Sequence, residues 1–367
     1  MKRIAWINSD SFRDTDIPII RLLCNEYEVD YYLVLNCHGT ANIDFLKELT
    51  KDFPNFKFIP INGMYRLRSL KYANLIFDVL SKIHKAKYDK VFTGIKEDLY
   101  MSLLYPLFIN KKRSIYMLHD AERHPNAHFS LAETIATITN RIIQGASSVK
   151  MLFSKEQNDI FKRQYPTQKS FFINKPCAFF GTPTIKKEPI SKCCNFLFFG
   201  SIGAYKNIEV LIEAIENLYA KGIRNFKVNI IGKSYYEEWK SHIKTSSLFN
   251  LDIRGFEDSE IPNLFENNHF LVLPYKQATQ SGPFSLALKY NIPVIASDID
   301  VFKNQIIDGE TGYVFEKGNV LSLEDVLLNC INMTDDNYYV MQNNVLGHYN
   351  KLFDESLIFK EILNVID

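Results

Sequence analysis

Two segments of the chain combine glycine, lysine and hydroxyl residues in an order that suits phosphate. The first is NFLFFGSIGAYKN, residues 195–207. It reads as an apolar strand running into Gly200, a turn that holds Ser201 and Gly203, and Lys206 just before a helix. A glycine-rich turn at a helix N-terminus presents free backbone N–H groups, and the helix dipole adds partial positive charge. Lys206 adds a full charge at the same place. Diphosphate binding is one reading; an ordinary strand-to-helix turn with a surface lysine is the other, and this segment alone does not separate them. The glycines match neither GxxxxGK[ST] nor GxGxxG, so neither that phosphate loop nor a nicotinamide cofactor is indicated.

The second segment is LVLPYKQATQSGPFSLALKYNIPVIAS, residues 271–297. A buried strand ends in a polar loop, and a helix begins near Gly282. Thr279, Gln280, Ser281 and Gly282 therefore sit at a helix N-terminus and at the carboxyl end of a strand, where open α/β sheets bind ligands. A second set of free N–H groups there suits the other side of a diphosphate, and a Ser-capped helix is the plainer alternative. Asp298-Ile299-Asp300 follows the next strand and reads as structural or cleft-lining rather than as a Mg²⁺ site. No metal ligands are expected. The six cysteines form no CxxC pair and read as reduced thiols.

Short apolar runs alternating with helical patterns must position these residues. Strands are expected at 3–8, 29–35, 57–60, 90–93, 114–118 and 149–154, and then at 195–200, 226–232, 251–255, 269–274, 293–297 and 312–315. Helices between them include 67–84, 130–143, 208–221, 261–267 and 282–290, and a last one covers 355–365. Nearly all-apolar strands alternating with helices imply parallel sheets covered on both faces. A length of 367 residues suggests two such domains. Residues 176–191, with three prolines and a Lys-Lys-Glu run, read as an exposed linker between them. A net charge of +1 creates no global field for nucleic acid. The start, MKRIAWINSDSF, lacks an apolar leader, and no run reaches the roughly 18 apolar residues of a membrane span. A cytoplasmic location, or one on the inner face of a membrane, is expected.

Together the two segments resemble the family 4 glycosyltransferases, retaining enzymes of the GT-B fold, in their subgroup with an ATQSG loop. The resemblance covers about residues 195–330, through FFGSIGAYKNIEVLIEAI, IIG, RGFEDSEIPNLFENNHFLVLPY, ATQSG, PVIAS and DGETGYVF. It implies an α/β chain of two Rossmann-like doubly wound domains facing each other across a cleft. An acceptor domain at 1–184, joined by a returning C-terminal helix at about 350–367, would accompany a donor domain at 185–349. The implied reaction moves a sugar from a UDP- or GDP-sugar to a glycan or lipid-linked acceptor in polysaccharide or glycoconjugate synthesis, with no metal or other cofactor. In this family, retention is attributed to front-face attack.

The resemblance also assigns residues. Lys206 matches the lysine that meets the donor diphosphate, and Gln280, Ser281 and Gly282 match the loop whose backbone approaches it. Gly232 and Lys233 match the strand end near the nucleotide, and Arg254, Gly255 and Phe256 the loop near its base. In LHDAERHP, residues 118–125, His119 matches a histidine beside the transferred sugar, with Asp120 orienting it or capping a turn. Three departures stand out. The usual phosphate arginine is replaced, its two alternative positions being Ser201 and Gly203. The paired glutamates are Ala278 and Leu286. The glycine-rich loop after the first strand is Ser9-Asp10-Ser11. A non-catalytic scaffold that binds a partner is therefore a second expectation. Basic residues at Arg66, Arg68 and Lys71, and at Lys111, Lys112 and Arg113, lie near Tyr65 and Tyr72. They suggest peripheral contact with an anionic membrane, or simply solvated helix faces.

Overall fold

The computed structural model describes residues 1–35, 43–63, 65, 69–95, 98–118, 121, 131–174, 177, 180–278 and 280–366. The side chains of 131–133 are also left aside. The chain divides into two compact units: Met1–Ala178 with Phe353–Asp367, and Phe179–Leu352.

The first unit holds a seven-stranded sheet. Its strands are β1 (Lys2–Ser9), β2 (Tyr27–Leu35), β3 (Phe56–Asn62), β4 (Lys90–Thr93), β5 (Ser114–Leu118), β6 (Val149–Leu152) and β7 (Lys169–Phe172). The spatial order is β3-β2-β1-β4-β5-β6-β7, and every pairing is parallel. Its helices are α1 (Arg13–Leu23), α2 (Ile43–Leu49), α3 (Leu70–Ala86), α4 (Leu99–Phe108), α5 (Leu131–Gly145) and α6 (Lys155–Gln164). Consecutive residues Ile4, Ala5, Trp6 and Ile7 of β1 are all buried, as a central strand covered on both faces requires. On one face Trp6 stacks on Phe92, with ring centroids 4.6 Å apart. On the other, Ala5 and Ile7 pack with Ile76, Val79 and Leu80 of α3.

The second unit holds a six-stranded parallel sheet of order β10-β9-β8-β11-β12-β13. The strands are β8 (Cys194–Phe199), β9 (Phe226–Ile231), β10 (Phe249–Asp252), β11 (Phe270–Leu273), β12 (Val294–Ser297) and β13 (Gly312–Phe315). The helices are α7 (Ile208–Ala220), α8 (Ile261–Glu266), α9 (Gly282–Lys289), α10 (Asp300–Lys303), α11 (Val320–Ile331) and α12 (Asp335–Leu352). The last helix, α13 (Glu355–Ile366), returns to the first unit, where Ile358, Ile362 and Val365 join the core beside Trp6 and Leu23. Both sheets are doubly wound with Rossmann-like strand order, so the α/β architecture stands.

Two local features differ from the sequence reading. β7 adds a strand that KSFF, too short and too polar, does not announce. The stretch read as an exposed linker is pinned to the second unit over residues 184–191. The Lys187 ammonium donates to the carbonyls of Phe265 (3.4 Å) and Glu266 (3.0 Å) and, closely, to that of Asn268. The Thr184 N–H donates to Asn263 (2.8 Å), and the Ser191 hydroxyl to Asp335 (2.5 Å). The described cysteines are free thiols, four of the five buried.

Candidate functional site

In a sheet of this order the strand direction of travel reverses between β8 and β11, and the loops leaving those two strands splay apart to form a crevice. Both phosphate-suited segments leave the sheet there. β8 ends at Phe199, and Gly200 follows with φ +95°, a left-handed turn that glycine enters without strain. A 3₁₀ turn over Ala204–Lys206, capped by Gly203, comes next, and α7 starts only after Asn207, itself left-handed at φ 52°. The helix begins at Ile208, where the sequence places it, and Lys206 stands just before it in the short turn.

Lys206 is not a surface lysine. It is 4% exposed. Its ammonium lies 5.2 Å from the Tyr275 ring centroid and, among the described residues, faces no acid. Burial pushes its pKa down to about 8. A Cβ placed on Gly200 would stand 3.4 Å from the Lys206 Nζ and 3.4 Å from Pro283 in the first turn of α9. The lysine, the glycine turn and the start of α9 therefore meet at one point. Gly232, at the end of β9, closes the same corner: with φ +143°, its Cα lies so near β8 that a Cβ would fall 2.1 Å from the Gly200 carbonyl oxygen. A side chain at 232 would break the approach of the two strand ends.

The ATQSG loop supplies the other wall. The Ser281 hydroxyl caps α9 by accepting the Phe284 N–H at 3.3 Å. Gly282 has ordinary dihedrals and open space where a Cβ would point. The Gln280 Nε2 is fully buried and has no hydrogen-bond partner among the described residues, which costs about 1–3 kcal/mol unless a ligand satisfies it. The Lys276 N–H donates to the Tyr205 carbonyl at 2.8 Å, tying this loop to the lysine turn. Thr279 lies outside the described residues, as do His119 and Asp120.

The remaining assigned residues surround the corner with less chemistry. Ser201 is exposed at the arginine position, and Lys233 is exposed with its ammonium 5.3 Å from the Tyr235 ring. The Arg254 guanidinium is engaged internally, with Asp252 at 2.9 Å and Glu260 at 2.6 Å. The arginine, hydrogen-bonded to it, holds the Glu260 carboxyl at about 2. Arg254 therefore shapes the loop through Gly255 rather than offering a free charge. Phe256 packs against Phe199 with the rings tilted by 37° and centroids 4.5 Å apart, beside the end of β8. Asp298 accepts the Lys317 N–H at 2.9 Å and caps a turn. No cluster of three metal-ligating side chains occurs among the described residues.

Sequence reasoning missed Tyr275 and Tyr205. Tyr275 lies two residues past the end of β11, is buried, and has the lysine ammonium 5.2 Å from its ring centroid; its ring meets Tyr205 edge-on at 6.0 Å. The LPY string carried that position, but nothing local says that its ring supports a cation donated from 69 residues earlier.

Residues 194–333 match the family described as glycosyl transferases group 1. A stretch of 141 residues is 26% identical to an uncharacterized glycosyltransferase of Methanocaldococcus jannaschii, and it spans 38% of this chain and 38% of that protein. Over 99% of both chains, the fold is similar to that of Anabaena HepE in complex with UDP and glucose, at 15% identity and TM-score 0.71. It is also similar, over all of both chains, to a mutant of S. aureus TarM in complex with Fondaparinux, alpha-GlcNAc-glycerol and UDP, at 12% identity and TM-score 0.72. Residues 194–333 thus carry the match to glycosyl transferases group 1, and the chain as a whole has the GT-B fold of the solved structures it resembles.

Proposed function

We propose that the second unit binds the diphosphate of a nucleotide-sugar at the β8–β11 crevice, and that the chain transfers that sugar with retention to a glycan or lipid-linked acceptor. The observation that carries this reading is Lys206: a buried cation without a described acid partner, at the meeting point of a glycine turn and the start of α9. Burying a charge is costly unless a partner satisfies it. A diphosphate supplies that partner, and the α9 N-terminus adds N–H donors aimed at the same oxygens. As the glycosidic bond breaks, negative charge grows on the leaving diphosphate, and preorganised donors stabilise it more than they stabilise the ground state. Lys206 does this by its own charge, so we assign the leaving group no metal and the reaction no cofactor. UDP is the first donor nucleotide to test, since the solved HepE and TarM structures contain it. His119 and Asp120 are proposed to face the transferred sugar, and the Arg254–Phe256 loop to border the base. The protein would act in polysaccharide or glycoconjugate synthesis, in the cytoplasm or against the inner face of a membrane.

Thermal unfolding with UDP, GDP and their sugars tests the reading. One nucleotide should raise Tm, and Lys206→Ala should abolish the shift without unfolding the chain. If no nucleotide shifts Tm, Ser201, Gly203, Ala278 and Leu286 gain a different meaning, and a partner-binding GT-B scaffold replaces the enzyme.

A further inference from the structure

Each phosphate of a nucleotide-sugar carries a negative charge, and Lys206 answers one of them. Arg254 is already paired with Asp252 and Glu260. The backbone shows where another cation stands. β8 and β9 are parallel with Phe199 opposite Ile231, and past both strand ends Ile202 forms a bridge with Ser234. The offset is the same at both pairs, so the register runs on unbroken into the loops. Gly200 stands opposite Gly232, Ser201 opposite Lys233, and Gly203 opposite Tyr235. The close approach of Gly200 and Gly232 fits that register. Two hydrogen bonds hold it: the Ile202 N–H donates to the Lys233 carbonyl and the Tyr235 N–H to the Ile202 carbonyl, both at 2.9 Å. Residues opposite each other in a parallel pair turn their side chains to the same face, on strands about 4.8 Å apart. Lys233 therefore leaves the sheet edge on the side where a side chain at 201 leaves it, one strand away from the β8–β11 crevice. Its four-carbon stem is long enough to cross that spacing.

The lysine does not hang free. Tyr235 follows it by two residues, on the same face, and the Lys233 ammonium lies 5.3 Å from the ring centroid. The ring is 71% exposed, so its use is not in the core. Attraction between ammonium and ring restricts a flexible stem that water alone leaves mobile. The acids of this turn are engaged elsewhere: Glu237 pairs with Lys240, and Glu209 accepts from the Tyr236 hydroxyl at 2.6 Å. Lys233 forms no ion pair among the described residues. Ser201 and Gly203 are the two positions at which the resemblance expects a phosphate arginine, and their register partners are the two members of this cation–ring pair. We propose that Lys233 is the second phosphate cation of the donor site, its charge carried one strand over from the Ser201 position, and that Tyr235 is the residue that positions it. This rests on the donor reading above and adds to it a cation and its support.

Isothermal titration of the full chain with UDP and with GDP tests it. Lys233→Met keeps the stem and removes the charge, and it should weaken the bound nucleotide about tenfold. Tyr235→Leu should weaken it by about threefold, whereas Tyr235→Phe keeps the ring and should bind as the parent does. Ser201→Arg placed in the Lys233→Met chain should restore most of the lost affinity, because the two positions face each other in register. Position 203 does not serve for this: a Cβ on Gly203 would stand 3.3 Å from the Tyr205 ring. Both changed residues are exposed, so Tm of the free variants should match that of the parent. Parental affinity in Lys233→Met overturns the inference. So does a loss that Ser201→Arg fails to repair, or a Tyr235→Phe chain as weak as Tyr235→Leu. Each of these leaves the donor reading standing, provided that Lys206→Ala still abolishes binding. A parent that binds neither nucleotide removes the donor reading itself, and this inference falls with it.

Discussion

At the scale of single residues, the proposed site depends on a lysine held away from the water that would solvate its charge. With its pKa depressed to about 8, Lys206 is charged below that pH and increasingly neutral above it. A diphosphate binds the charged form, so nucleotide affinity should be flat below pH 8 and fall as pH rises through it, by up to about tenfold per unit. Isothermal titration across that range checks the slope, and Lys206→Ala should remove it. Two glycines around this corner, Gly232 and Gly282, fail differently when changed. Gly232→Ala drives a methyl group into the Gly200 carbonyl at positive φ, so it should destabilise the fold by about 2–4 kcal/mol in urea titrations. Gly282→Val meets open space and normal dihedrals, so stability should hold while nucleotide binding falls. A Gly282→Val protein that binds UDP as the parent does would remove Gly282 from the site.

At the scale of elements, the strands were legible because burial on both faces forces continuous apolar runs such as IAWI and FLVL. The turns were legible because Gly200 and Gly282 punctuate them. What was not legible is non-local. Residues 184–191 look like a linker by composition, but α8 and the turn after it, some 80 residues later, supply the acceptors for Lys187, and His269 stands just before β11. The His269 Nδ1 accepts the Asn195 N–H at 3.0 Å, and its Nε2 donates to the Glu188 carbonyl at 2.8 Å, joining β8, β11 and the pinned segment. The burial of Lys206 depends in the same way on Tyr275, and no spacing rule reveals it. His269 also has a measurable signature. Burial lowers its pKa to about 4 from 6.5. The unfolded chain therefore takes up a proton near pH 6.5 that the folded chain refuses until about 4. Its contribution is complete above 6.5 and is lost as pH falls through that window, by up to about 3 kcal/mol. Chemical denaturation at stepped pH should show this decline, and His269→Gln should flatten it.

At the scale of the whole molecule, one strand order is used twice with different chemistry at its reversal point. In the second unit the point between β8 and β11 holds a glycine turn, a buried cation and a helix start. In the first unit the corresponding point lies between β1 and β4. There Gly94 abuts the Asn8 amide, a Cβ on it falling 2.8 Å from Asn8 Nδ2, and the described residues include three buried acids, Asp10, Asp16 and Asp98, beside the Arg13 guanidinium, which donates to the Asp10 carbonyl at 3.1 Å. Asn8 donates to Asp16 at 3.0 Å, and Tyr72 donates to Asp98. Carboxylates repel a diphosphate and suit sugar hydroxyls, so the expected outcome is that nucleotide binds to the second unit only. Hydrogen exchange of the full chain with and without UDP measures this directly. Protection should rise in the peptides spanning 200–207, 232–235 and 275–286, which leave the β8, β9 and β11 strand ends. The turns after β1 and β4 should exchange as they do in the free protein. Protection that instead appears at Asn8 and Gly94 would move the donor to the first unit, and Lys206 would lose its role as the diphosphate's partner.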